Sequence, residues 1–238
     1  MIDIKVIGSG SSGNCYLANI NGIKILLEAG LPFKRIQKAL NFKTSDIDFC
    51  LVTHEHGDHA KSVNDVIKAG IDVYMSKGTK EALSILNHRA KTFDKKEKDY
   101  KSKIIKNILV KPFEAVHDVR EPVSFYIKDI KTKESLLFVT DSAYMKYKIP
   151  DVDILMIECN YIEDIINKNV LDGKLHISLR NRIVKSHMSL DTLLKALDEA
   201  KFTKLKKIYA IHLSDSNSDK YRIKDELQRK TGKVVEIC

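Results

Sequence analysis

Apolar and polar positions alternate at the start of the chain, where Ile2, Ile4 and Val6 are separated by Asp3 and Lys5, and this predicts a strand over 2–7. Short strands follow over 14–20 and 23–28, with Gly22 in the turn between them. Leu31 to Leu40 carries helical spacing, and Asp46 to Val52 holds a short apolar strand that runs directly into Thr53. A helix over about 61–69, a strand over 71–74 and a helix near 79–86 come next. The pattern then turns strand-rich, with strands over 108–116, 123–127 and 136–140 and a buried strand over 153–157. Leu190, Leu193, Leu194 and Leu197 fall at i, i+3, i+4 and i+7, which marks an amphipathic helix with Ser189 as its N-cap. A strand over 207–211, a helix over 219–230 and a strand over 234–237 complete the chain. Two strand-rich halves, each bringing helices, predict an α/β protein of two sheets packed face to face with helices outside.

With 238 residues, only four prolines, and neither an internal repeat nor a Pro/Gly/Ser linker, the expectation is one domain over 1–238. The composition, 43% hydrophobic and 31% charged, is that of a soluble protein, and no apolar run approaches a bilayer span. The N-terminus lacks the segments of a signal peptide, so a cytoplasmic location without a membrane partner is expected. Cys15, Cys50, Cys159 and Cys238 are scattered, with no Cys-x-x-Cys pair, which fits buried thiols better than a disulfide scaffold or a zinc ribbon. A net charge of +9 permits a polyanionic partner without requiring one. Lysine is densest over 91–106 and 201–207, which reads equally as a basic groove or a solvated face.

The chemistry concentrates in Thr53-His54-Glu55-His56-Gly57-Asp58-His59, a His-x-His-x-Asp-His run at the mouth of an apolar strand. In extended backbone His54 and His56 project to one side. Gly57 then allows a sharp turn that carries Asp58 and His59 round, and a helix beginning just after His59 holds the loop rigid. Imidazoles and carboxylates suit zinc, manganese or ferrous iron rather than a soft thiolate site. His117, Asp141 and His212 each stand where an apolar strand meets a polar loop, the place where open sheets put their chemistry. Each of the three is a weak signal alone, and together they add ligands to the run.

These residues, with Gly8-Ser9-Gly10-Ser11-Ser12-Gly13-Asn14, Ala29-Gly30-Leu31, Thr140-Asp141, Ser186-His187-Met188-Ser189 and His212-Leu213-Ser214, resemble the metallo-β-lactamase superfamily. Within it they are most similar to the nuclease-like branch of RNase J, RNase Z and the small YycJ/WalJ-type proteins, and the likeness runs nearly end to end. The resemblance implies a four-layered αββα sandwich and a dinuclear metal-dependent hydrolase holding two divalent ions, zinc or manganese, with iron also fitting. It implies that His54, His56 and His117 hold one ion, that Asp58, His59 and His212 hold the other, and that Asp141 bridges them. His59 is usually missing from the β-lactamases themselves, so antibiotic hydrolysis is disfavoured. Glu28 stands where the family usually has aspartate and would support the metal loop from behind. The family's Gly-His-Leu-Ser-Asn is here Ser186 to Leu190, and the chain has no room for the inserted domain that clamps RNA in RNase J.

The expected activity is therefore that of a phosphodiesterase or nuclease, a DNA exonuclease first, with nucleic acid as partner. Asp58 and Asp141 would orient the attacking hydroxide, while His187 is either the acid that protonates the leaving group or a structural residue at a helix entry. Ser11, Ser12 and Asn14 either present a phosphate nest or form a tight turn. Ser214 and Asn217 either face the substrate or belong to the cap of the last helix. His88 and His176 read as surface residues. The alternatives are a small-molecule hydrolase, acting on a cyclic nucleotide or a thioester, and a non-catalytic binding module on the same fold.

Overall fold

The N-terminal alternation becomes β1 (Ile2–Gly8), which pairs antiparallel with β2 (Cys15–Ile20), and β2 pairs antiparallel with β3 (Ile23–Leu27). In the turn between β2 and β3, Asn21 and Gly22 both take positive φ, 51° and 90°, which matches the demand of a tight hairpin. This computed structural model describes residues 1–97 and 99–238, and the chain divides into two compact units.

The first unit comprises residues 1–114 and 119–135. Its six-stranded sheet continues from β3 through β4 (Phe49–Leu51), β5 (Val73–Met75) and β6 (Ala90–Thr92), all parallel. Helices α1 (Phe33–Ala39), α2 (Gly57–Ala60), α3 (Val63–Lys68) and α4 (Lys77–Ala82) connect these strands. Ile36, Val63, Val66 and Ile67 from the helices join Leu26, Cys50, Val52 and Val73 from the sheet in one buried cluster. The unit also holds the short β7 (Lys95–Lys96) and β8 (Asp99–Tyr100), and an antiparallel set of β9 (Lys103–Ile105), β10 (Ile108–Glu114) and β11 (Val123–Asp129).

The second unit comprises residues 115–118 and 136–238. Four strands run parallel in the order β12 (Ser135–Val139), β13 (Ile154–Glu158), β14 (Lys207–Ile211) and β15 (Val234–Ile237). Every residue of β12 and β13 is buried, as expected of parallel strands covered on both faces. Helices α5 (Glu163–Leu171), α6 (Ile177–Ser186), α7 (Leu190–Asp198) and α8 (Lys220–Thr231) accompany them. Because the strands are parallel, the segments that follow β12, β13 and β14 emerge at the same sheet end, where such sheets place their chemistry.

The helix expected over 61–69 is α3, and a separate helical turn, α2, precedes it. Ser62 gives its N–H to Ala29 and its hydroxyl to the Leu31 carbonyl at 2.6 Å, so the chain breaks there to grip the segment after β3. Helices α5 and α6 escape the periodicity reading because few of their apolar positions face inward: Ile166 is buried, but Leu171, Ile177 and Leu179 are exposed. Ser189 caps α7 as expected, its Oγ accepting from the Thr192 N–H at 3.1 Å. Ser189→Ala should therefore lower stability by about 1 kcal/mol, read as a shift in denaturant midpoint. Among the described residues no helix is long and apolar enough to cross a membrane.

Candidate metal centre

In the first unit the chain leaves β4 and turns inward at Thr53 and His54, both buried. The Thr53 N–H donates to the Glu28 carboxylate, whose oxygens lie 3.2 and 3.4 Å away. Thr53 Oγ1 sits 2.9 Å from His54 Nδ1, so one face of that ring is fixed and Nε2 is left to point elsewhere. The imidazoles of His54 and His56 meet edge to face at 4.9 Å between centroids, and those of His54 and His59 at 4.2 Å. Asp58 Oδ2 is 3.3 Å from His59 Nε2, while Glu28 Oε2 faces the other ring nitrogen at 3.7 Å. The longer side chain of Glu28 thus reaches the loop from behind. Burial pushes the Glu28 carboxyl up from its ordinary value, against opposing contacts from His59 and Thr53.

Two expectations about this loop change. The helical turn starts at Gly57 and already contains Asp58 and His59, rather than following them. Gly57 is also not the glycine the loop depends on, since a Cβ there would meet nothing within 4 Å. That role belongs to Gly30, where a Cβ would lie 1.7 Å from the Asp58 carbonyl oxygen. The backbones of 30 and 58 touch, and only hydrogen fits between them.

Asn14 is corrected as well: it is fully buried and braces the loop instead of facing a substrate. Its Nδ2 donates to the carbonyls of Gly10 at 3.1 Å and Asp58 at 3.3 Å and lies 3.1 Å from His59 Nε2. Its Oδ1 accepts from Gly10 N–H at 3.0 Å and from the Tyr16 hydroxyl at 3.1 Å. With both ends of the amide engaged, little capacity is left for a ligand. Ser11 and Ser12 are exposed at the tip of the same turn.

The second unit gathers His117, Asp141, Glu158, His187 and His212. His117 Nδ1 lies 3.0 Å from the Ser186 carbonyl, and a carbonyl only accepts, so Nδ1 carries the proton. Nε2 then carries the ring's lone pair, 3.7 Å from Asp141 Oδ2. Burial pushes the His117 pKa down, partly opposed by Asp141, which favours the neutral ring a metal needs. Asp141 Oδ1 takes the Thr140 hydroxyl at 2.7 Å and stands 3.5 Å from His212 Nδ1. Asp141 and His212 both hold left-handed backbone, φ 48° and 55°, as does Glu28 at 65°. Non-glycine residues in this region concentrate where function demands a particular side-chain direction.

Glu158, which the sequence reading passed over, organises this cluster. Its Oε1 accepts from His187 Nδ1 at 2.7 Å and from His212 Nδ1 at 3.0 Å. Its Oε2 accepts the N–H groups of Ser142 at 3.0 Å and Met188 at 3.2 Å. Burial opposes its charge, yet His187, together with the hydrogen bonds from both histidines, outweighs burial and holds its pKa below the ordinary glutamate value. For His187 burial likewise opposes the charge, and the carboxylate wins, holding this ring above the ordinary histidine value. Asp141, Glu158, His187 and His212 each bring a donor atom within 4.8 Å of the others. The signal for Glu158 was present: it ends the apolar run 153–157 as Asp141 and His212 end theirs. Asn160, two residues on, donates to the His212 carbonyl at 2.9 Å.

The loop 214–218 is a turn of its own, since α8 is capped by Asp219, whose side chain accepts from the N–H groups of Tyr221 and Arg222. Asn217 is buried, donating to Ser214 Oγ at 3.2 Å and accepting from Asn169 at 2.9 Å, so it is a brace rather than a substrate contact. Ser214 is half-buried beside it. His88 and His176 are exposed, and His176 caps α6. All four cysteines are free thiols, three of them buried.

Comparison with known proteins places this geometry. Residues 24–213 match the family model of the β-lactamase superfamily domain. The exodeoxyribonuclease WalJ of Streptococcus pneumoniae serotype 2 (strain D39 / NCTC 7466) is 30% identical over 229 residues, which cover 91% of this chain and 83% of the relative. The exodeoxyribonuclease YycJ of Bacillus anthracis is 28% identical over 232 residues, 92% of this chain and 85% of the relative. Among solved structures, the metallo-β-lactamase fold protein YhfI from Bacillus subtilis superposes with a TM-score of 0.74 at 18% identity, covering 100% of this chain and 97% of that one. The α/β architecture is accordingly the metallo-β-lactamase fold.

Proposed function

We propose that this chain, which belongs to the β-lactamase superfamily, removes nucleotides from DNA strand ends by metal-assisted hydrolysis of the phosphodiester. It is a metal-dependent hydrolase. The names of the S. pneumoniae and B. anthracis relatives support DNA as its substrate. The net charge of +9 suits a polyanion.

The donor chemistry fits divalent ions. Ligands held at about 2.0–2.2 Å around a tetrahedral ion stand roughly 3.4 Å from one another. Within the first unit the Asp58 and His59 donors are 3.3 Å apart, and within the second Asp141 stands 3.7 Å from His117 Nε2. We assign His54, His56 and His117 to one ion, Asp58, His59 and His212 to the other, and Asp141 to both. Zinc or manganese suits this nitrogen and oxygen set, and ferrous iron does too. When bound, the ions supply Lewis acidity at the reacting phosphate.

The chain's own residues do the rest. Asp58 and Asp141 accept hydrogen bonds from the attacking water and turn its lone pair towards phosphorus. His187 then hands a proton to the departing oxygen. The observation that carries this role is the 2.7 Å bond from His187 Nδ1 to buried Glu158, which fixes the ring and leaves Nε2 for the substrate. His187→Gln and Glu158→Gln should each lower kcat on DNA by about 10²-fold or more. A diester with a p-nitrophenolate leaving group needs no proton and should be far less affected. Equal losses on both substrates would remove His187 from the acid role.

A further inference from the structure

The segment that follows Asp141 reads Ser142-Ala143-Tyr144-Met145-Lys146-Tyr147-Lys148, two aromatics interleaved with two lysines. None of the ligand or proton-transfer roles above uses it. Tyr144 and Tyr147 are 49% and 51% exposed, and Lys146 and Lys148 are exposed beside them. Two large rings three residues apart, each half in water on irregular backbone, contribute little to a core and form no helical stripe.

The segment is nevertheless held firmly. The Ser142 N–H donates to Glu158 Oε2 at 3.0 Å, and the Ser142 hydroxyl donates to the Tyr144 carbonyl at 2.9 Å. That hydroxyl also accepts the N–H of Val116 at 2.9 Å, and the Ala143 N–H donates to the Val116 carbonyl at 2.9 Å. At the far end Ile149 is buried. The aromatic stretch is thus tied to the residue before His117 and to the carboxylate that orients His187 and His212. Backbone fixed in this way at the start of the segment lowers the entropy cost of binding a ligand there.

We propose that residues 142–148 form a subsite for unpaired DNA, in which Tyr144 and Tyr147 stack on bases while Lys146 and Lys148 meet the phosphates. Every base has a π-face, so such a platform holds a strand without reading its sequence. This choice of ligand rests on the DNA reading above. It adds that the protein grips single-stranded ends, and grips them by their bases.

Binding can be separated from cleavage. The probes are a fluorescein-labelled oligothymidine of roughly a dozen nucleotides and an abasic strand of equal length and charge, both with cleavage-resistant phosphorothioate links, each titrated with the metal-loaded protein and followed by anisotropy. The wild type should prefer the thymidine strand by about thirtyfold or more, as stacking of two bases implies. Y144A/Y147A should bind both strands alike, and Y144F/Y147F, which keeps the rings, should restore the preference. Equal binding of both strands by the wild type, or an undiminished preference in Y144A/Y147A, overturns the proposal. A wild type that shows the ring-dependent preference but cleaves no DNA upholds the subsite and rejects the nuclease reading instead.

Discussion

Asp58→Ala should reduce hydrolysis by about 10³-fold or more, the several kcal/mol that a lost metal contact is worth at the transition state, while the protein stays folded. The side chain lies 25% exposed at the start of α2, so its removal opens no core cavity. What the fold takes from residue 58 is its main-chain carbonyl, which accepts the Asn14 N–H at 2.7 Å, and alanine keeps that bond. Circular dichroism and thermal melting should match the wild type to within a few degrees, whereas elemental analysis should show less metal bound per chain. Full activity in this variant would mean that the His-x-His-x-Asp-His run is not the catalytic centre.

Gly30→Ala should do the reverse, breaking the structure that Asp58→Ala leaves intact. The added Cβ would lie 1.7 Å from the Asp58 carbonyl oxygen, 2.2 Å from its carbon and 2.8 Å from the His59 nitrogen, all of them backbone atoms. No rotamer change relieves such contacts, so the strand end and the metal loop must separate. Doing so strains the bonds from the Ala29 N–H to the His59 carbonyl and from the Gly30 N–H to the Asn14 carbonyl. The expected loss exceeds ordinary overpacking, about 3 kcal/mol or more, or a fall of roughly 6–12 °C in Tm for a chain of this size. Gly57→Ala, in the middle of the motif, should shift stability by no more than about 0.5 kcal/mol. A melting experiment on the two variants side by side checks the contrast, and equal effects would refute it.

That contrast also shows where sequence reasoning reaches its limit. Periodicity is a local property, and the elements it placed well are those whose burial repeats locally: β1, β14, β15 and the Ser189-capped α7. His117, Asp141 and His212 stood out as candidates for a similar reason, because each follows a strand where it meets a polar loop. Gly30 and Asn14 owe their roles to contacts across 28 and 44 positions of chain, with Asp58 in both cases, and nothing in their neighbours announces that. The left-handed backbone at Glu28, Asp141 and His212 is equally hidden, since none of these is the glycine that usually marks positive φ. Glu158 obeyed the strand-end rule and could have been found by applying it to acids as strictly as to histidines. Helices α5 and α6 were harder, because exposed Leu171, Ile177 and Leu179 blur the short buried face that Ile166 marks.

Incubating the purified wild type and Asp58→Ala proteins with end-labelled single- and double-stranded DNA, with manganese or zinc and again with chelator, tests the central claim most directly. RNA, a cyclic nucleotide and a thioester serve as competing substrates. The account predicts that wild-type protein shortens DNA progressively from an end, that chelator stops it, and that Asp58→Ala leaves the strands whole. DNA left intact by wild-type protein under every metal, with turnover of the cyclic nucleotide or the thioester in its place, would contradict it.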